Sequence, residues 1–233
     1  MKTDKKIYIV LPSFGEENII QKVIKDIRAQ GYENIIVVDD GSQDNTFQKA
    51  KETGVTTLKH PINRGKGAAT QTGIDAALLL GADTVVTMDS DGQHNPKEIK
   101  LLLEPLLKNE ADVTIGSRML NGKDMPKTRR IMNTLANVIT YIFFGIYVSD
   151  SQSGFRAYTK KVLKGVYTHL DRYEYESEML GQVKKQRIKE IPIQVIYSDH
   201  SYNKYSGIKN FSPQGLLNGI AMVVRMIENS LFK

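Results

Sequence analysis

The 233-residue chain contains no cysteine. Disulfide scaffolds, thiolate metal sites and cysteine nucleophiles are excluded together. A long uninterrupted apolar run is missing as well. The basic residues 1–6 are followed only by a short apolar run at 7–11, too brief for a signal peptide and suited to a first strand. No G-x-x-x-x-G-K-[ST] is present, so a P-loop is out. No serine lies in a G-x-S-x-G elbow, which removes support for a hydrolase triad. Zinc-finger, homeodomain and aromatic-basic RNA motifs are absent too, so no nucleic-acid partner is expected. These absences fit a cytoplasmic protein.

What is present describes an ordinary folded domain. Hydrophobic residues make up 40% and charged residues 25%, values typical of a globular chain. The length suits one domain, 1–233, with residues 1–118 forming one half and 119–233 the other. The net charge of +6 suits either plain solubility or attraction to phosphates, in a nucleotide or an anionic lipid surface.

Strand and helix patterns alternate through the first half. Residues 7–11, 35–38, 55–58 and 84–88 are short apolar runs that suit strands covered on both faces. Between them, 16–30, 43–53 and 65–80 carry helical spacing, with Gly31 and Gly81 as stops. This order predicts an α/β fold, a mostly parallel sheet flanked by helices. Ligands of such sheets lie beyond the carboxyl ends of the strands. The acidic clusters all follow strands and therefore converge on one edge: Glu16-Glu17, Asp39-Asp40-Gly41-Ser42 and Asp89-Ser90-Asp91.

The second half is less regular. Asn95-Pro96 opens a helix to about Lys108, with Asn95 as its cap. Residues 113–115 and 188–196 read as strands. Residues 129–148 form an amphipathic helix with a polar stripe at Arg130, Asn133, Thr134, Asn137, Thr140 and Tyr141. That stripe argues against a membrane span of about 20 residues. A second apolar face runs through Leu216, Ile220, Val223 and Ile227. Either face suits packing against the sheet or a subunit, or contact with lipid.

Asp89-Ser90-Asp91 is the sharpest chemical signal. Two carboxylates this close repel unless a cation lies between them. A hard divalent ion with oxygen ligands resolves the repulsion and would neutralise a diphosphate leaving group. Asp40, after the second strand, suits recognition of a base or ribose, or a plain turn. Arg64-Gly65-Lys66-Gly67 opens a helix whose backbone N–H groups face an anion. Arg118 and Arg156, the latter in the turn Ser153-Gly154-Phe155-Arg156, suit bidentate phosphate contacts. In the polar segment 197–210, Lys204, Ser206 and Lys209 suit a phosphate clamp. His94 adjoins the paired aspartates and fits a supporting position; His60, His169 and His200 read as structural or exposed.

These runs resemble family 2 glycosyltransferases. The resemblance rests on Leu11-Pro12-Ser13-Phe14-Gly15-Glu16, Val38-Asp39-Asp40-Gly41-Ser42, Asn63-Arg64-Gly65-Lys66-Gly67 and Met88-Asp89-Ser90-Asp91-Gly92-Gln93-His94. Gly116-Ser117-Arg118, Asp150-Ser151-Gln152-Ser153-Gly154-Phe155-Arg156 and Glu190-Ile191-Pro192-Ile193 narrow it to the dolichyl-phosphate mannose or glucose synthase branch.

The resemblance implies a glycosyltransferase-A fold and inverting transfer from a nucleoside-diphosphate sugar, GDP-mannose or UDP-glucose. By position it assigns Pro12, Phe14, Glu16, Asp40, Lys66, Asp89 and Ser90 to the donor, with Phe14 where tyrosine is frequent. Asp89, Asp91 and Gln93 would hold Mg²⁺ or Mn²⁺, and Arg118, Ser153, Arg156, Lys204 and Ser206 would face phosphates of a polyprenyl-phosphate acceptor. The late loop departs from the branch's arginine-glycine-serine-lysine arrangement, reading Asp199-His200-Ser201-Tyr202-Asn203-Lys204. With a hydroxyl acceptor, Glu176 and Glu178 are the candidate bases. With a lipid phosphate no base is needed, because its second pKa is about 6. A non-catalytic sugar-nucleotide binder is the reading from another class. Peripheral contact with the cytoplasmic face of a membrane follows from the lipid acceptor.

Overall fold

A computed structural model describes residues 5–121, 127–167 and 175–196. In chain order, the first half runs β1 (Ile7–Ser13), α1 (Ile20–Arg28), β2 (Ile35–Asp39), α2 (Thr46–Glu52), β3 (Thr56–Lys59), α3 (Lys66–Leu79), β4 (Thr84–Thr87), α4 (Ile99–Leu107) and β5 (Val113–Ser117). It continues with α5 (Arg118–Asn121), α6 (Lys127–Phe144), β6 (Arg156–Thr159), α7 (Lys160–Leu163), α8 (Tyr175–Val183) and β7 (Ile188–Pro192). Asn95 caps the short 3₁₀ turn that leads into α4, accepting from Lys97 N at 3.1 Å with Pro96 in the first position.

The strands form one seven-stranded sheet in the order β3-β2-β1-β4-β6-β5-β7. Strand β6 is antiparallel to β4 and β5, and the remaining pairs are parallel. Strands from both halves of the chain therefore share one sheet.

Alternation along β1 explains the layering. Ile9 and Leu11 enter a core built with Ile20, Ile24 and Ile27 of α1 and Leu102 and Leu106 of α4. Val10 points the other way, into a core with Ile74 and Ala77 of α3 and Met179 and Leu180 of α8. Both faces are covered, which is why β1 and β2 read as unbroken apolar runs. Helix α3 lies so close to β1 that a Cβ on Gly73 would stand 2.3 Å from Val10 Cγ1.

Strand β6 was not foreseen. It is four residues long and begins at an arginine, in a stretch that reads as a turn. Because it runs against β4, its start lands at the edge where β1, β2, β4 and β5 end.

Candidate active site

The edge expected to carry the chemistry does collect most of it. Asp89 follows β4 after the single residue Met88, Lys66 opens α3, and Glu176 sits in the first turn of α8. Lys66 Nζ lies 2.7 Å from Asp89 Oδ1 and 2.9 Å from Glu176 Oε1. Burial alone would lower the Lys66 pKa, but the charges of Asp89 and Glu176 raise it well above the usual lysine value. Burial likewise works to raise Asp89, and Lys66 and His94 outweigh it and hold the carboxyl far below the carboxylate range. His94 Nε2 lies 3.5 Å from Asp89 Oδ2, and its ring packs on Phe155 with centroids 4.9 Å apart. The supporting position read for His94 matches this contact.

Gly154 closes the cluster from the start of β6. A Cβ there would stand 2.6 Å from Lys66 Nζ and 2.7 Å from Asp89 Oδ1. A small cavity next to it is lined by Pro12, Thr70, Thr87, Tyr158 and Tyr175 together with the charged trio. Tyr158 was missed with β6. Tyr175 stands beside the two expected glutamates, yet nothing in the spacing marked its ring as a wall.

The paired aspartates fit a divalent ion. Asp89 keeps part of its surface exposed, and its Oδ1 has no aligned hydrogen bond despite the close ammonium. Asp91 Oδ1 accepts from Gln93 N at 3.0 Å, which fixes the turn of the D-x-D. Ser90 is spent on structure, its Oγ donating to Pro12 O at 2.9 Å and tying β4 to β1. Among the described residues no three acidic or histidine side chains converge to hold a metal by themselves.

Several of the expected site residues have partners within the fold. Asp40, expected at a base or ribose, is occupied within the fold: its Oδ1 meets His60 Nδ1 at 2.7 Å and accepts from Arg64 N at 3.0 Å. Its Oδ2 accepts from Gly65 N at 2.7 Å. Asp40 therefore positions the loop that presents Lys66. Arg156, expected at a phosphate, is 1% exposed and donates to the carbonyls of Ser153, Glu176 and Ser151 at 2.6–2.9 Å. Its charge braces the turn ahead of β6 against α8. Ser153 is buried in that turn. Arg118 makes a paired contact with Asp150, Nε and Nη2 each at 2.7 Å, so its guanidinium is anchored at the edge. Glu178 is buried in α8. Phe14 is 47% exposed just past β1, which suits a stacked base, whereas Glu16 is buried at the entry to α1. Lys204, Ser206, Lys209, His169, His200 and the apolar face of 216–231 lie outside the described residues.

A mostly parallel sheet with paired carboxylates and a lysine-opened helix at one edge matches the glycosyltransferase-A fold that the resemblance implies. The chain belongs to glycosyl transferase family 2, whose family model matches residues 8–167. It is 39% identical to a UDP-N-acetylglucosamine–dolichyl-phosphate N-acetylglucosaminyltransferase of Methanococcus voltae, over 85% of this chain and 88% of that protein. A polyprenol monophosphomannose synthase of Mycolicibacterium smegmatis is 30% identical over 71% of this chain and 66% of its own length. In fold the chain is similar to glucosyl-3-phosphoglycerate synthase of Mycobacterium tuberculosis solved with Mn²⁺, uridine diphosphate and glucosyl-3-phosphoglycerate. The TM-score is 0.70 at 21% identity, covering 96% of this chain and 78% of that one.

Proposed function

We propose that the chain moves a hexose, with inversion, from a nucleoside-diphosphate sugar to a polyprenyl or dolichyl phosphate at the cytoplasmic face of a membrane. The resemblance leaves GDP-mannose and UDP-glucose open as donors; the Methanococcus relative, by its name, adds UDP-N-acetylglucosamine. A divalent ion, Mg²⁺ or Mn²⁺, at Asp89 and Asp91 would offset the charge of the departing diphosphate. Phe14 would stack on the base, and Lys66 would meet the diphosphate oxygens from the start of α3.

The observation that carries the acceptor is the state of Glu176. Its carboxylate is paired with Lys66 at 2.9 Å and is buried beside the reaction edge. A hydroxyl acceptor needs a base to take its proton. The carboxylate oxygen that faces the edge is already engaged by the Lys66 ammonium and is not open to a hydroxyl proton. A lipid phosphate, largely dianionic at neutral pH, attacks the anomeric carbon through its own oxygen. The bond from that carbon to the diphosphate breaks, and the nucleoside diphosphate leaves with the electron pair.

Calorimetry with each donor, in Mn²⁺ and in EDTA, tests the donor site. One donor is expected to bind only with metal and to lose binding in Asp91→Ala. Turnover on polyprenyl phosphate then tests the acceptor. Glycosylation of a soluble hydroxyl compound, with polyprenyl phosphate ignored, would overturn the reading and make Glu176→Gln and Glu178→Gln the decisive variants.

A further inference from the structure

Lys66 is held by carboxylates at the place where the reaction asks it to meet phosphate. Its Nζ lies 2.7 Å from Asp89 Oδ1 and 2.9 Å from Glu176 Oε1. Asp89 is also one of the two carboxylates read for the divalent ion. A cation therefore already stands on it, and that cation belongs to the chain.

The contact is built from several elements. Gly154 leaves no room beside it, since an added Cβ would meet Lys66 Nζ at 2.6 Å and Asp89 Oδ1 at 2.7 Å. Asp40 accepts from Arg64 N at 3.0 Å and Gly65 N at 2.7 Å, which fixes the loop from which Lys66 starts. Glu176 is buried, and its carbonyl is held by Arg156 Nη1 at 2.9 Å. A buried carboxylate costs free energy unless a charge offsets it. The Lys66 ammonium supplies that charge at Glu176, and at Asp89 it competes with any other cation.

Charge sets the direction of the competition. A small divalent ion bonded to Asp89 at about 2.1 Å would share one carboxylate with the ammonium. Two positive charges so close repel, and little water stands between them to screen the repulsion. A diphosphate changes the sign of the coupling. Its oxygens accept from the ammonium and also bind the ion, so both cations are favourable together. Each ligand then strengthens the other by the same factor.

We propose that Lys66 is the chain's own counter-ion for Asp89: its ammonium holds the metal aspartate while no nucleotide is bound, and releases it when a nucleoside diphosphate offers phosphate oxygens instead. Glu176 is then a positioning residue, which keeps the ammonium at the edge in both states. Departure of the nucleoside diphosphate returns Lys66 to Asp89 and loosens the ion, so the two leave together. The inference rests on the reading of Asp89 and Asp91 as metal ligands and deepens it, because it makes ion and nucleotide bind as a pair.

The test measures free Mn²⁺ by electron paramagnetic resonance as the ion is added to the full chain without nucleotide. Wild type is expected to bind it no more tightly than about 0.1 mM, and Lys66→Met at least about tenfold more tightly than wild type. Lys66→Gln drops the charge but keeps a polar contact for Glu176. It should show the same gain, and it serves where methionine leaves Glu176 too poorly satisfied to fold. Lys59→Met is the control, because Lys59 Nζ lies 3.5 Å from Asp39 at the same sheet edge. Its Mn²⁺ affinity should stay within about twofold of wild type, since a charge away from the ion is screened. Unchanged or weaker binding in the Lys66 variants overturns the proposal, and so does an equal gain in Lys59→Met. Nucleotide-free binding by the wild type tighter than about 0.1 mM overturns it as well. Calorimetry with UDP and GDP separates this inference from the metal reading. Nucleotide binding to the wild type as tight in EDTA as in Mn²⁺ sinks the metal reading and this inference with it. Metal-dependent nucleotide binding, with no gain in the Lys66 variants, sinks the inference alone.

Discussion

Gly154 carries no functional group, yet it sets the geometry of the charged trio. Its backbone angles suit any residue, so the constraint is purely one of space: an added methyl group would meet Lys66 Nζ at 2.6 Å and Asp89 Oδ1 at 2.7 Å. One or both must move, and both lie where the donor diphosphate and its metal would bind. Gly154→Ala is therefore expected to weaken metal-dependent donor binding by at least about tenfold, or ~1.4 kcal/mol, while circular dichroism shows an intact fold. Donor affinity equal to wild type would mean that Lys66 and Asp89 do not act as a unit. Arg156 makes a different kind of demand. Three backbone carbonyls from Ser151, Ser153 and Glu176 depend on its fork of donors. A lysine cannot reach all three, and each buried acceptor left unpaired costs free energy. Arg156→Lys should lose about 2–4 kcal/mol in urea unfolding. A loss below about 0.5 kcal/mol would mark the fork as dispensable.

Among the elements, α3 and β1 show how closely the site depends on packing. Gly73 lets the helix approach the strand, and an alanine there would press its methyl onto Val10 Cγ1 at 2.3 Å. Alanine gains about 1 kcal/mol of helix propensity. Overpacking against a stiff β-branched side chain costs about 1–3 kcal/mol. Gly73→Ala should therefore destabilise the fold in denaturant melts and shift Lys66 at the head of the same helix. A stabilised variant would show that the interface gives way without cost. The elements that the sequence revealed are those whose signal is local. Buried parallel strands leave apolar runs, and α1 and α3 end near Gly31 and Gly81, which have φ of 84° and 87°. Strand β6 stayed hidden because its burial depends on partners distant in the chain. The charge of Arg156 reads as a surface or phosphate contact until Glu176 is seen to supply an acceptor. The two faces of α6 were legible, but periodicity says only that two faces exist and not which one turns inward. Asp40 likewise announced a carboxylate at the right edge, while its engagement by Arg64 and Gly65 needed the folded loop.

At the scale of the whole molecule, two buried phenols make one of the two cores sensitive to alkali. The core shared by α3 and α8 includes Tyr158 and Tyr175, both nearly fully buried. Burial raises the pKa of each above the ordinary 10.0. Unfolded, both phenols would ionise near that ordinary value; folded, they keep their protons to higher pH. Above pH 10 the folded state thus binds more protons than the unfolded one, and stability must fall as pH rises. Each tyrosine contributes up to about 1.4 kcal/mol per pH unit, so the pair removes up to ~3 kcal/mol per unit. Lys66 adds to this decline from slightly higher pH, whereas Asp89 has no part in it. Asp89, lowered from 3.8, contributes stability that is lost as pH falls below 3.8 toward its folded value, and Lys66, raised from 10.5, contributes stability that is lost as pH rises above 10.5 toward its folded value. Melting temperature is therefore expected to drop steeply once pH passes 10, and ultraviolet tyrosinate absorbance should show two phenols that ionise only with unfolding. Tyr158→Phe should make the decline shallower by about one proton's worth of slope. An unchanged slope in that variant would mean that the core of α3 and α8 admits water, and the Lys66 ammonium, at the mouth of the same core, would then be more weakly held than its two carboxylate contacts imply.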